Sequence, residues 1–489
     1  MDTNIIHTGD CFDVLTELPD ESVHAVVSDP PYGLAFMGRD WDDFEPKEYQ
    51  EWCEKWAREC KRVLKPGGHM LAFSGNRTHH RLFTGVEDAG FEIRDTLTWH
   101  YGSGFPKASD ISKTIDKRGG APPDLVDEIS DALKEARKSR DMTKTEADEL
   151  FCGGTTNYTW FEGRPDGKRL PPDETFTKIA DEWPELSEYQ ECVKSANREV
   201  VGKSEHKSGI GNDVKENNTV GGTTAKHYDI TAPATDAAKK WDGWKTGLKP
   251  STEFVVMARK PYDGATVDSV LEHGTGALNI DATRIDADER PKRERNNKGG
   301  EGNTWDHNKQ LHGSEATGTT TEGRYPSNLM FDEVAAEQLN REVGELDAPT
   351  SNSREQNGAM FDVGAHGKSD GYNDPGGPSR YFYTSKATKA ERTLDGKIDN
   401  AHPTVKPGDL MEWLVKLVTA ENQIVLDPFC GSGTTLRAAK DLGRQFIGIE
   451  RQAKWADVAR VRAGLTPEDP SIVRDDAGQS GLEAYKVTQ

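Results

Sequence analysis

The 489-residue chain has no run of about 18 apolar residues, the length a membrane-spanning helix needs, so no membrane span is expected. Its first residues, MDTNIIHTGD, lack a basic segment followed by an apolar one, which argues against a secretory signal peptide. The six cysteines (Cys11, Cys53, Cys60, Cys152, Cys192 and Cys430) are scattered and form no CxxC pair. A zinc ribbon or a disulfide framework is therefore disfavoured, and a reducing cytoplasm is expected. The 13 histidines show no HExxH or equivalent ligand spacing, so no metal is expected. Hydrophobic residues make up only 34%, too few for a fully packed chain of this length, which predicts a core domain carrying long polar segments.

Basic residues are also in deficit: 62 against 84 acidic ones, for a net charge of −22. A surface that meets phosphates normally clusters Lys and Arg, so this balance needs an explanation. One reading is an acidic surface with a local basic groove. The other, which we favour, is adaptation to a high-salt cytoplasm, as in a salt-loving archaeon or its virus, where charge repulsion is screened within a few ångströms.

What is present is an alternation of short apolar strands and amphipathic helices. Asn4–His7, His24–Ser28 and His69–Ser74 read as strands. Between the last two, Tyr49, Trp52, Cys53, Trp56, Ala57, Cys60, Val63 and Leu64 recur at helical spacing, and Lys65-Pro66-Gly67-Gly68 stops that helix. After Thr96–Tyr101 the pattern breaks and resumes at Phe254–Ala258; order returns again with a helix over Leu410–Thr419, a strand over Gln423–Leu426, a helix over Thr435–Leu442 and a strand over Gln445–Ile449. Strands alternating with helices predict an α/β fold with a doubly wound, mostly parallel sheet. The expected organisation is a first half over 1–102, an insertion over 103–250, a return to the sheet over 251–285, a polar insertion over 286–400, a second half over 401–465 and a tail over 466–489. Much of 286–378 reads as loop.

Two segments carry the chemistry. Asp29-Pro30-Pro31-Tyr32 follows the apolar strand HAVVS, and Asp427-Pro428-Phe429-Cys430-Gly431-Ser432-Gly433-Thr434-Thr435 lies between a strand and a helix. Gly431 and Gly433 permit a tight turn and close backbone approach to a ligand. Glu450 ends the next strand 23 residues after Asp427, a placement suited to ribose hydroxyls. No lysine follows the glycines, so the loop is not a phosphate-gripping P-loop. Alone, the tetrapeptide could be an ordinary strand-end turn and the loop a dinucleotide turn. Together they resemble the catalytic tetrapeptide and the S-adenosylmethionine loop of the DNA amino-methyltransferases. Their order, catalysis first and cofactor loop last, resembles the circularly permuted β class of that family, the DNA methylase N-4/N-6 enzymes.

The resemblance implies a Rossmann-like methyltransferase fold, S-adenosylmethionine as cofactor and double-stranded DNA as partner. It assigns Asp427, Phe429, Gly431 and Gly433 to the methionine side of the cofactor and Glu450 to the ribose, and counts Pro428 and Thr434 of the same loop among the cofactor-binding residues. His402-Pro403-Thr404-Val405-Lys406-Pro407 is similar to the family motif that closes over the methionine end, which brings in Thr404 and Lys406. Asp10, after the first strand of a permuted chain, should meet the adenine ring. The resemblance is strong over about 1–102 and 400–465, and patchy between, at 252–261, 274–285 and 379–392.

Methylating an exocyclic amine requires drawing its delocalised lone pair toward sp³ character, in line with the donated methyl. Asp29 can accept one amine N–H and the Pro30 carbonyl the other, while the fixed φ of Pro30 and Pro31 keeps both acceptors rigid. Tyr32 can stack on a base flipped out of the duplex. Carbon methylation of cytosine would need a cysteine thiolate here, and the tetrapeptide contains none. The DPPY form leans to adenine N6, with cytosine N4 the alternative. A DNA-binding protein with a decayed methyltransferase fold and an RNA or small-molecule methyltransferase are further rivals. Gly33–Asp43, with Phe36, Met37 and Trp41, reads as a flap that closes over the target or simply packs. Helix, glycine turn and helix over 143–183 (TEADELF, CGG, TTNYTWF) resemble a helix-turn-helix or a small packing subdomain. Gly323–Leu329 and Ser379–Tyr383 are aromatic-basic patches, candidates for reading DNA or for a local core. A homodimer and a restriction endonuclease partner both stay open.

Overall fold

The computed structural model describes residues 1–34, 42, 44–102, 104, 108–118, 123–152, 170–195, 198–208, 226–287, 290–295, 314–346, 376–385, 393–394, 398 and 405–473. The chain forms two compact units, Met1–Gly104 together with Pro250–Gln489, and Phe105–Lys249. In chain order the strands are β1 (Ile5–Thr8), β2 (Val23–Ser28), β3 (Leu64–Gly75), β4 (Glu92–His100), β5 (Val200–Ser208), β6 (Lys226–Thr231), β7 (Thr252–Arg259), β8 (Arg290–Arg295), β9 (Ser314–Thr320), β10 (Leu329–Asp332), β11 (Tyr383–Ser385), β12 (Ile424–Asp427) and β13 (Gln445–Glu450).

Nine of these strands make the sheet of the first unit, in the order β1-β13-β12-β2-β3-β7-β4-β10-β11. Only β7 runs antiparallel, against both β3 and β4. Neighbouring residues of one strand face opposite sides. Val425 of β12 and Leu71 and Phe73 of β3 enter one core, with Leu410 and Leu414 of the helix Gly408–Val418 and Leu436 of the helix Thr434–Asp441. Leu426, Met70 and Ala72 enter the other, with Leu15 of the helix Cys11–Glu17, Cys53 and Trp56 of Pro46–Val63, and Leu82 of His79–Asp88. Covered on both faces, β2, β3, β7, β12 and β13 carry apolar runs without alternation, as the sequence predicts for a doubly wound sheet, whereas β4, EIRDTLTWH, is largely polar. In β2, Ala25 and Val27 join the first core while Val23 and Val26 join the second, because pairing with β3 slips between Val23 and Ala25.

The permuted order has a direct structural expression. The first strand of the chain lies beside the last, with Ile5 opposite Ile447 and Thr8 opposite Glu450. The order of the sheet reverses at β12 and β2, where Leu426 lies opposite Val26. In an open α/β sheet that reversal leaves a crevice at the strands' carboxyl ends.

Two sheet strands come from stretches read as polar insertion. β10 and β11 are only four and three residues long, too short for a periodic signal, and a helix over Glu333–Val343 follows β10. The aromatic-basic patches meet here: the Arg324 guanidinium lies 5.2 Å from the Tyr381 ring centre and donates 3.1 Å to the Arg380 carbonyl.

The second unit has its own core, where Val126, Ile129 and Leu133 of Pro123–Lys138 pack on Phe176 and Ile179 of Asp173–Glu182. Its β5 and β6 pair antiparallel, and the buried Asp116 binds Arg198 at 2.6 Å. Lys144–Cys152 is the first helix of the segment read as helix-turn-helix; the glycine turn at 153–154 and the expected second helix over 155–161 lie outside the described residues. So do Thr404, and Phe36, Met37 and Trp41 of the flap. Among the described residues, no helix is long and apolar enough to cross a membrane.

Candidate active site

Adjacent strands deliver the two motifs to the same place. Buried Ser28 closes β2 and donates its hydroxyl at 2.5 Å to Oδ1 of Asp427, the last residue of β12. Asp427 also accepts from the Phe429 amide at 3.1 Å and from the Thr435 hydroxyl. Burial dominates these bonds and pushes its carboxyl up to about 6. The acid at the head of the glycine loop is thus tied into the neighbouring strand.

Asp29 follows immediately and belongs to a closed ring of four side chains. Lys406 Nζ donates to Asp29 Oδ2 at 2.5 Å and lies 3.3 Å from Glu253 Oε2. The Tyr32 hydroxyl lies 2.8 Å from Asp29 Oδ1 and 3.0 Å from the same Glu253 oxygen. One hydroxyl proton therefore serves two carboxylates, and one ammonium faces both. Burial works against the Lys406 ammonium, but Asp29 and Glu253 outweigh it and raise its pKa. Burial, then Asp29 and Glu253, hold the Tyr32 hydroxyl well above its ordinary value.

The tetrapeptide is braced from beneath. The Tyr49 hydroxyl donates 2.9 Å to the Pro31 carbonyl, and buried Asp42 accepts from the Gly33 amide at 2.6 Å and the Leu34 amide at 3.1 Å. Gly33 has φ +65°, and a Cβ there would come within 2.7 Å of the Tyr49 ring, so only glycine fits this corner. Pro30 is buried; Pro31 and Tyr32 are half-buried.

The glycine loop is shaped by close packing. Gly433 begins the helix Thr434–Asp441 at φ +80°, where a Cβ would sit 2.7 Å from that of Ala459. The Gly431 amide donates 3.0 Å to Glu450 Oε2, and the Gln452 amide 2.8 Å to Oε1. Burial nevertheless raises the Glu450 carboxyl. Asp10 accepts from the Phe12 amide at 3.0 Å and caps the helix Cys11–Glu17, while the Gly9 amide bonds the Glu450 carbonyl at 3.0 Å. Phe429 packs between Trp52 and Trp56, with ring centres 5.3 and 5.4 Å away. Cys430 is buried and its thiol lies well above the ordinary range, chiefly through burial, which leaves it inert.

One pocket brings residues of both motifs together: Asp29, Lys406, Asp427, Phe429, Gly431 and Thr434 all line it, with Ser432 and Thr435. Asp10 and Glu450 sit at the neighbouring strand ends, outside that lining. Glu253, Ser28, Asp42 and Tyr49 were not among the sequence candidates. For Glu253 a signal existed, a lone acid heading the apolar strand TEFVVMAR. The pocket meets the test for a cationic sulfonium ligand, since its carboxylates exceed its single lysine, which Asp29 already binds.

The DNA methylase family profile matches residues 23–122 and 201–460, more than half of the chain. M.HindIII, a type II methyltransferase of Haemophilus influenzae, is 21% identical over 500 residues, covering 94% of this chain and 95% of its own. M.HinfI of Haemophilus influenzae, also a type II methyltransferase, is 46% identical over 89 residues, 18% of this chain and 25% of its own. Among solved structures, the cytosine-N4-specific PvuII DNA methyltransferase aligns over 94% of this chain and 86% of its own at 13% identity, with a TM-score of 0.37. The class defined by the sheet and its paired strand ends is that of a doubly wound, permuted α/β enzyme. The chain belongs to the N6/N4 DNA methylase family, whose methyl donor is S-adenosylmethionine.

Proposed function

We propose that this chain transfers a methyl group from S-adenosylmethionine to the exocyclic N6 amine of an adenine flipped out of double-stranded DNA. The observation that carries the reading is the side-by-side placement of Asp29 and the Asp427–Thr435 loop at the carboxyl ends of adjacent strands, lining one pocket. Bound over that loop, S-adenosylmethionine supplies an electrophilic methyl on a sulfonium. Glu450 and Asp10 take the ribose and adenine, and Gly431, Gly433 and Thr434 shape the methionine side.

Asp29 accepts one hydrogen of the target amine, the Pro30 carbonyl accepts the other, and the ring of Tyr32 faces the base. Lys406 and Glu253 act through Asp29 and Tyr32: their contacts fix the direction of the acceptor oxygens before the base arrives, which lowers the ordering needed at the transition state. The net negative charge of the ring suits the positive charge that develops on the amine.

The test is methylation-sensitive sequencing of DNA from a methylation-deficient host expressing the chain. N6-methyladenine at one recurring sequence is the expected result. N4-methylcytosine instead would correct the base, and unmodified DNA from a protein that binds S-adenosylmethionine would sink the catalytic reading.

A further inference from the structure

The second unit displays a ridge that the catalytic chemistry does not use. Residues 239–249, KKWDGWKTGLK, are exposed without interruption. Trp244 is 61% exposed and Leu248 94%, and Trp241 stands beside Trp244 with ring centres 5.1 Å apart, edge to face. Large apolar side chains held in water over a contiguous patch mark a contact surface.

The ridge is rigidly mounted. Buried Asp116 accepts from the amide and hydroxyl of Thr235, which caps the helix Asp236–Lys240. The chain then turns at Gly243, φ +81°, and its backbone is pinned to the segment before the helix Ile111–Lys117: the Ile111 amide donates 3.0 Å to the Trp244 carbonyl, and the Thr246 amide 3.0 Å to that of Ser109. The tryptophans are therefore presented on a fixed scaffold.

Charge identifies the partner. The ridge carries Lys239, Lys240, Lys245 and Lys249 against Asp242, within a chain of net charge −22. Lys239 touches Asp236 at 3.0 Å and Lys245 touches Asp110 at 3.3 Å, yet cations still outnumber anions when both acids are counted. A basic island interleaved with indole rings matches a polyanion that also offers flat apolar faces. A second copy of this chain fits less well, because a stable dimer needs about 800 Å² from each partner, more than one short ridge supplies.

We propose that this ridge is a DNA-binding surface, its lysines on backbone phosphates and Trp244 inserted against a base or sugar. The inference rests on the DNA-methylating reading and names a part of the second unit that holds the duplex.

The test uses the full chain, a fluorescein-labelled random-sequence duplex and anisotropy titrations over a range of KCl. Trp244→Ala should weaken duplex affinity roughly tenfold. The double variant Lys240→Ala/Lys245→Ala should flatten the slope of log affinity against log salt by about 2. S-adenosylmethionine affinity and the thermal midpoint should match wild type in both. Unchanged duplex affinity and slope would overturn the proposal, as would variants that bind DNA normally but sediment at lower mass, which would make the ridge a contact between copies. Wild-type protein that neither binds nor methylates DNA would remove the underlying reading as well.

Discussion

Lys406 Nζ lies 2.5 Å from Asp29 Oδ2 although 377 positions separate the two in sequence. The motif around Lys406 is similar to one that closes over the methionine end of the cofactor, yet its ammonium is committed to the tetrapeptide and Glu253. The two roles make different demands. If Lys406 positions Asp29, Lys406→Met should lower kcat by roughly 100-fold, the scale of a misplaced catalytic group, with a much smaller change in S-adenosylmethionine affinity. Lys406→Arg should recover part of the loss. Calorimetric titration beside single-turnover methylation separates the outcomes; equal losses in both would return Lys406 to the cofactor.

On the proposed mechanism Asp29→Ala removes the acceptor for the amine, so it should abolish methyl transfer while S-adenosylmethionine still binds. Transfer of a tritiated methyl group, read against calorimetry on the same preparation, checks this. Turnover near wild type would end the role given to Asp29.

The cofactor side should respond in affinity. Gly433→Ala forces a Cβ to 2.7 Å from Ala459 at φ +80°, so the variant should lose roughly 1–3 kcal/mol of stability as well as cofactor affinity. Gly431→Val strains a φ of +52°, and Glu450→Ala removes the acceptor of the Gly431 amide; both should weaken S-adenosylmethionine in a calorimetric titration. Unchanged affinity in both would place the cofactor elsewhere.

Asp427 links the site to pH. Its carboxyl is raised from 3.8 to about 6, chiefly by burial, so between those values the folded chain binds more protons than the unfolded one. Its contribution therefore favours the fold at low pH and is lost as pH rises through about 6. Asp427→Asn abolishes that dependence. From pH 4 to 7 the stability of the variant relative to wild type should rise, on the order of 3 kcal/mol. Urea unfolding of both proteins over that range measures the difference, and a flat difference would contradict the assignment.

The acidic surface makes a separate claim. With a net charge of −22, the fold should suffer self-repulsion that salt relieves, so the thermal midpoint should climb with KCl into the molar range. DNA affinity should fall with salt along a shallow slope, set by no more phosphate contacts than the few lysines of the 239–249 ridge can make. A protein fully stable in dilute buffer whose activity vanishes above moderate salt would mark an ordinary mesophile.

The sequence by itself determined the strands that carry function. HAVVS before Asp29, QIVL before Asp427 and QFIGI before Glu450 are apolar without alternation because helices cover both faces, and a glycine loop between strand and helix is a local pattern. The order of the two motifs, taken with their family resemblance, also implied the permutation, which the structure expresses as β1 beside β13. Tertiary structure decided what depends on long-range contact. Glu253 heads β7, and only the insertion of that strand antiparallel between β3 and β4 carries it to Tyr32 and Lys406. Ser28 reads as one more strand residue until β12 lies beside β2 and supplies Asp427 as its acceptor. The short strands β10 and β11 left no periodic trace, since three or four residues cannot display one, and pairing with β4 and with each other defines them. Local patterns record burial and turns along the chain, whereas a hydrogen bond across hundreds of residues leaves no mark on the residues between its ends.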